Sequence, residues 1–358
     1  MEGKTAVAAT LIDVARQACV SVATASRVLN GSGNRRSKPD IVERVRSVAE
    51  TLDYRPNATA QAVIRSTSRL LGLVVPDIGD PYFSSIAKGA QEASARNGTL
   101  LLLAGIDGST GDELRAFKAL VSQRVEGIIL AGSRCDGPGF HETTLLLAEA
   151  IERYTRSGGR VVTVGEGILA NTPGAEFVLR IQEEERAAEL ASALAVRGCS
   201  RFTIVAGPEL VRQSDRRVSG FIRGLRESGA PMAKVIRGEM NRAGGLKAGQ
   251  EVLRTIRDQQ YGMRHGVLSV NDRVAMGCIS ALSAAGCESP RDYAIGGFDD
   301  IPQVQDFWPL LSTVRLPLQE IGARAAEIAI GEDVDCVLEG EVMLRASTTA
   351  PVRSVGKP

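Results

Sequence analysis

From residue 70 onward, short apolar runs alternate with longer stretches of helical periodicity, and this pattern constrains the fold more than any other feature. Runs suited to parallel strands lie at 70–75, 99–104, 127–131 and 160–165. A second series follows at 177–181, 201–206, 233–237, 267–270 and 293–296. Helical patterns separate them, for example at 84–96, 112–123, 183–197, 216–228, 243–257 and 272–285. Such alternation predicts an α/β fold of open, doubly wound parallel sheets, with ligand sites at the carboxyl ends of the strands. Two series of about five units predict two similar lobes in place of one large sheet.

The first 65 residues follow a different rule. Residues 10–30 read T-L-I-D-V-A-R-Q-A-C-V-S-V-A-T-A-S-R-V-L-N. Thr10 and Asp13 have capping-box spacing, and Leu11, Val14, Ala15 and Ala18 recur on one helical face. A tight turn at Cys19-Val20 leads to Ser21, a good N-cap for a second helix from about Val22 to Leu29. Two short helices joined so tightly form a helix-turn-helix, whose second helix can enter a DNA major groove. The alternative is a helical hairpin buried in a larger core. Against that, Thr24, Ser26 and Arg27 suit phosphates and base edges and are not needed for packing. A basic loop, Gly31 to Arg36, precedes a third helix. Ser37 is its expected cap, and Ile41, Val45, Val48, Ala49 and Leu52 form its inner face.

Leu11-x-Asp13-Val14-Ala15-x-x-Ala18-x-Val20-Ser21-x-x-Thr24-Ala25-Ser26-Arg27-Val28-Leu29-Asn30 resembles the DNA-binding signature of the LacI/GalR family of bacterial repressors. The resemblance continues through Tyr54-x-Pro56-Asn57, Leu73-Val74-Val75-Pro76, Asn271-Asp272 and Gly297-Phe298-Asp299-Asp300, covering nearly the whole chain. It implies a three-helix head (8–55), a hinge helix and linker (56–68) and a two-lobed core (69–358) like periplasmic sugar-binding proteins. The chain would cross between lobes near 170, near 316 and close to its end. Lobe one would then hold about 69–170 and 317–345, and lobe two about 171–316 and 346–358.

The resemblance also implies site residues. Val22, Ala23 and Arg27 would meet base edges, and Ser21, Thr24, Ser26 and Asn30 would serve as phosphate anchors or caps. Asn57 would cap the hinge helix, and Val63 would wedge into the minor groove, where leucine is more usual. Cys19 stands where the family usually has glycine; a left-handed backbone there would cost roughly 1–2 kcal/mol. In the core, Tyr82, Phe83, Arg217, Asn271 and Asp299 are the effector-binding candidates. Tyr82 and Phe83 could stack on an apolar ligand face, and Arg217 could fork onto hydroxyls or a carboxylate. Each is weak alone, since Asn or Asp after a strand is most often a cap or turn residue. The family often has a ligand-touching aspartate near the start of lobe two; here that region reads Q-E-E-E-R (182–186), with no counterpart assigned. Trp308 is expected at the lobe junction or a dimer face.

Composition narrows the classes. Net charge is only +1, but residues 1–68 carry 10 Lys/Arg against 6 Asp/Glu, a basic head on a mildly acidic body. So modest an excess suits two heads acting together. Six cysteines without a C-x-x-C pair argue against a zinc module or disulfide framework. His141 and His265 have no recognisable nucleophile or metal-ligand neighbours, and Val164-Gly165-Glu166-Gly167 lacks dinucleotide-fingerprint spacing. No catalytic residue, metal or cofactor is expected. The expectation is a cytoplasmic, dimeric transcriptional regulator, on the nucleoid when operator-bound. A small polar effector, a sugar or sugar derivative, would set operator affinity from between the lobes. Repression relieved by inducer is preferred, with corepression open and tetramers not excluded. A solute-binding protein of a transport system is the alternative, and a metabolic enzyme stands third.

Overall fold

The computed structural model describes residues 9–29, 38–54, 68–106, 110–137, 139–169, 174–258, 263–332 and 336–349. The chain divides into a unit of residues 1–68 and a unit of residues 69–358.

The first unit contains α1 (Leu11–Gln17), α2 (Val22–Leu29) and α3 (Pro39–Thr51). Thr10 and Asp13 close the capping box reciprocally: the Asp13 amide donates to Thr10 Oγ1, and the Thr10 amide donates to Asp13 Oδ2. Hydrogen bonds from Thr10 hold the Asp13 carboxyl below its ordinary range. Cys19 has φ 51°, so the turn is left-handed and carries a side chain where glycine is strain-free. Val14, Ala15, Ala18, Ala25, Val28, Val45 and Ala49 form the core of this small unit. Arg44 Nε donates to Ala18 O at 3.0 Å and ties α3 to the turn. At α3 the cap position is Lys38, with Pro39 following and no side-chain cap bond. Ser37, expected as that cap, lies outside the described residues, as do Asn30, Asn57 and Val63.

In the second unit the first lobe is a parallel six-stranded sheet, with its neighbours reading β11, β5, β4, β3, β1, β2 across the sheet. These strands are β1 (Leu70–Val75), β2 (Leu100–Gly105), β3 (Gly127–Leu130), β4 (Arg160–Val164), β5 (Phe177–Ile181) and β11 (Cys336–Leu338). Helices α4 (Pro81–Arg96), α5 (Thr110–Ser122), α6 (His141–Arg156) and α11 (Leu318–Ile330) accompany it. The second lobe has a parallel sheet in the order β7 (Lys234–Arg237), β6 (Cys199–Ala206), β8 (Arg264–Ser269), β9 (Tyr293–Gly296). Its helices are α7 (Glu183–Val196), α8 (Arg212–Glu227), α9 (Arg242–Arg257) and α10 (Asp272–Ala284). An antiparallel ribbon of β10 (Thr313–Arg315) and β12 (Glu341–Met343) lies where the chain passes between lobes.

The strand at 177–181, expected to open lobe two, belongs to lobe one. It pairs in parallel with β4, Val162 opposite Phe177, and with β11 on its other side. The first crossing is therefore at Gln182, not near 170. An apolar run does not reveal its partner; only the register does. The other crossings lie near 316 and beyond β11, after which Ser347 Oγ donates to Ile295 O and receives the Ser312 amide. Helices α6 and α11 were not among the sequence-derived helices. α11 buries Leu318, Ile321, Gly322, Ala325, Ala326, Ile328 and Ala329 and keeps Gln319 and Glu320 exposed. Trp308 is 82% exposed and does not pack at the lobe junction.

Helix pairs approach closely at glycines. A Cβ on Gly220 of α8 would lie 2.3 Å from Glu184 O of α7, and one on Gly224 would lie 2.1 Å from Ala188 O. That approach sets the first turn of α7, which carries Glu183, beside the middle of α8, within a turn of Arg217.

Candidate functional site

In the head, Ser21, Val22, Ala23 and Arg27 are exposed on α2, whereas Thr24 and Ser26 are half-buried. Ala25 and Val28 turn inward, so helical periodicity leaves the expected base-reading positions facing outward. Ser21 Oγ accepts the Thr24 amide at 3.1 Å, as an N-cap. Arg27 Nε donates to Ala23 O at 3.2 Å, laying the guanidinium along the outer face of its own helix.

In the body, Tyr82, Phe83, Arg217, Asn271 and Asp299 all line one cavity of about 450 Å³ between the lobes. Tyr82 and Phe83 open α4 behind β1, their ring centroids 4.9 Å apart and edge to face. Asn271 and Asp299 follow β8 and β9, at the carboxyl ends where open parallel sheets present ligand sites. Asn271 is also the N-cap of α10: its Oδ1 accepts the Val274 amide at 2.8 Å, and its Nδ2 donates to Met240 O at 3.0 Å. The capping role expected of an Asn here is thus present together with the cavity-lining position.

Asp299 (φ 106°) and Asp300 (φ 54°) are successive residues with positive φ, a conformation that costs energy in an L-residue and clusters at binding sites. The crossing strand holds them, with the Asp299 amide donating to Val314 O at 2.8 Å. Two arginines clamp the Asp300 carboxylate. Arg345 reaches it at 2.6 and 2.8 Å and Arg315 at 2.8 Å, and despite burial these bonds keep its pKa below the ordinary value. Burial pushes the Asp299 carboxyl well above the ordinary range against the pull of Arg217, with Asp272, Asp80 and Glu183 adding to the rise. Burial likewise raises Asp272 to about 7, though it accepts from Thr313 Oγ1 at 2.6 Å and the Ile301 amide at 2.9 Å.

Arg217 is placed differently from expectation. Its Nε and Nη2 donate to Glu183 Oε1 at 3.1 and 2.6 Å, so the chain's own carboxylate occupies the fork. Nη1 donates to Val270 O at 2.7 Å and lies 3.0 Å from Asp299 Oδ1 without hydrogen-bond alignment. The Phe298 ring covers the guanidinium at 4.0 Å. Glu183 is the residue that sequence reasoning left unassigned. Three consecutive glutamates gave no means of choosing among them; in the fold Glu183 is buried while Glu184 and Glu185 are not.

The cleft is clasped on two sides. Cys135 and Val211 form an antiparallel bridge between the lobes, with the Asp136 amide on Leu210 O and the Arg212 amide on Arg134 O, each at 2.9 Å. Arg212 reaches Asp136 in bidentate fashion at 2.5–2.9 Å and Glu166 at 3.2 Å, and Arg216 also pairs with Glu166. On the other side Arg273 of lobe two donates to Asp80 of lobe one at 2.7 Å. His265 is buried in lobe two and shares a hydrogen bond with Thr203. Among the described residues no three His, Cys, Asp or Glu side chains could together hold a metal, and no helix is long and apolar enough to cross a membrane.

Residues 10–57 match the family described as bacterial regulatory proteins, lacI family, and residues 191–335 match the periplasmic binding protein-like domain. The HTH-type transcriptional regulator GalR of Escherichia coli is 30% identical over 325 residues, covering 90% of this chain and 88% of GalR. The lac repressor dimer bound to operator and the anti-inducer ONPF superposes with a TM-score of 0.80 at 20% identity, covering 96% of this chain and all of that one. The transcriptional regulator CelR in complex with cellobiose superposes with a TM-score of 0.66 at 24% identity, covering 95% and 99%. The family match at the head and the GalR alignment along the body lead to one conclusion: the chain belongs to the LacI family of bacterial regulatory proteins.

Proposed function

We propose that this protein is a dimeric transcriptional repressor whose operator affinity is set by a small polar effector, a sugar or sugar derivative, held between the lobes. The observation that carries this reading is the joining, in one chain, of a helix with an outward Val22-Ala23-Arg27 face to an interlobe cavity of about 450 Å³. That volume lies within the usual range for small-molecule sites. The cavity pairs aromatic rings with carboxyl and amide groups, the mixture that polyol recognition requires. The CelR complex with cellobiose, on the same fold, supports the sugar class.

Two heads would read a near-palindromic operator, with residues 56–68 as the hinge between them and Val63 as its wedge. Ser21, Thr24, Ser26 and Asn30 would anchor phosphates, and Asn57 would cap the hinge helix. The protein would work in the cytoplasm, on the nucleoid when operator-bound, without catalysis. Effector and operator binding would be coupled, each changing the affinity for the other by the same factor. A transport solute-binding protein would account for the cleft, but it has no use for an exposed α2. An anisotropy titration at two salt concentrations against the DNA upstream of the protein's own coding sequence tests the reading. Salt-dependent binding that survives competition by random DNA is expected, and Arg27→Ala should lose ~1–3 kcal/mol on that DNA alone. Indifference to sequence would refute it.

A further inference from the structure

The cleft shows what charge its ligand can carry. Among the described residues lining the cavity there is one cation, Arg217, against three acids, Asp80, Glu209 and Asp299. Arg273 of the opposite lobe is held by Asp80, and in the adjoining part of the cleft Arg134 pairs with Glu113 and Arg212 with Asp136 and Glu166. A lone buried arginine would ordinarily make a bidentate site for a carboxylate or phosphate. Here Glu183 takes both its Nε and Nη2, Val270 O takes Nη1, and Phe298 covers one face. Glu183 is itself fixed by a third donor, Gln213 Nε2, at 3.0 Å. It lines the adjoining part of the cleft yet is only 4% exposed, so water screens its charge little. What the wall still offers is an acceptor: Asp299 Oδ1 is buried with no hydrogen-bond partner. The rings of Tyr82, Phe83 and Phe140 line the same cavity.

We propose that Glu183 is a specificity-determining residue: by neutralising Arg217 it sets the cleft to take an uncharged or amine-bearing sugar and to turn away sugar acids and sugar phosphates. A ligand hydroxyl or amine would donate to Asp299 Oδ1, and an apolar ring face would lie on the aromatics. In this cavity an anion would meet three carboxyl groups and one cation already paired, and desolvating it would go largely uncompensated. This rests on the cleft being the effector site.

Calorimetry on the full-length protein tests it, with matched sets at ~10 mM, where even a millimolar Kd is read. The sets are glucose, glucosamine and glucuronate; galactose, galactosamine and galacturonate; and ribose with ribose 5-phosphate. A neutral or amino member should bind, and its acidic counterpart should bind at least about tenfold more weakly. Glu183→Gln, which keeps a hydrogen-bonding oxygen and takes from Arg217 one of its two carboxyl partners, should narrow that ratio about tenfold or more in favour of the acid. Should the variant not fold, the discrimination by the wild type decides alone. An acid or phosphate that binds as well as its neutral parent overturns the proposal and leaves the cleft reading standing. If no member of any set binds, both fall.

Discussion

Replacing Arg217 by methionine, which keeps most of the side-chain length, should destabilise the body more than any other substitution among the cavity-lining residues. The guanidinium is 1% exposed and serves two buried carboxyls, Glu183 and Asp299, and one carbonyl, Val270 O. Breaking a buried pair from one side costs ~3–5 kcal/mol, because the abandoned charge stays buried. Against a total stability of ~5–15 kcal/mol this is a large fraction. The cost has an escape, since a carboxylate without its cation can take up a proton. That uptake becomes easier by ~1.4 kcal/mol for each unit of falling pH. Moving from pH 7.5 to 5.5 should therefore shrink the defect by up to ~2.7 kcal/mol per carboxyl that protonates. Urea denaturation followed by far-ultraviolet circular dichroism, on wild type and Arg217→Met at both pH values, measures this. The double variant Arg217→Met/Glu183→Gln should recover part of the loss, since it removes one stranded charge. A defect under ~1 kcal/mol at pH 7.5, or one unchanged at pH 5.5, would refute a buried charge network around Arg217.

Three further outcomes are expected. Cys19→Gly relieves a residue at φ 51° and should stabilise the head by about 1 kcal/mol, read as a higher melting temperature against an unchanged Cys19→Ala control. Gly322→Ala would put a Cβ 1.9 Å from Ile86 O, so α4 and α11 must move apart; a loss of ~1–3 kcal/mol in urea titrations is expected, and neutrality would mean the helices give way freely. Burial, with Arg201 nearby, depresses His265 to about 4. The unfolded chain, with an ordinary value of ~6.5, then binds the extra proton first, so stability is full above ~6.5 and falls by ~3 kcal/mol as pH drops towards 4. His265→Gln should flatten that loss relative to wild type, and equal acid sensitivity in both would clear His265.

The sequence by itself determined the local elements and the residue types at their ends. Periodicity of 3.6 identified α1, α2 and α3, because the apolar stripes Val14–Ala15–Ala18 and Ala25–Val28 must meet in so small a head. Alternation of strands and helices defined an α/β body and pointed to strand carboxyl ends, where Asn271 and Asp299 are found. The left-handed turn at Cys19 was likewise legible, from a side chain standing where glycine is usual.

Tertiary structure decided what depends on partners distant in sequence. Whether residues 177–181 join the first sheet or the second is a matter of register, and the pairing with β4 moved the lobe boundary to Gln182. Among three adjacent glutamates, only the close approach of α7 and α8 at Gly220 and Gly224 selects Glu183 as the partner of Arg217. The ionic clasp of Arg212 with Asp136 joins residues 76 apart, and that of Arg273 with Asp80 joins residues 193 apart. No local pattern encodes such pairs. They exist because folding brings the loops and helix ends of two lobes together across a cleft, setting opposite charges within reach of one another.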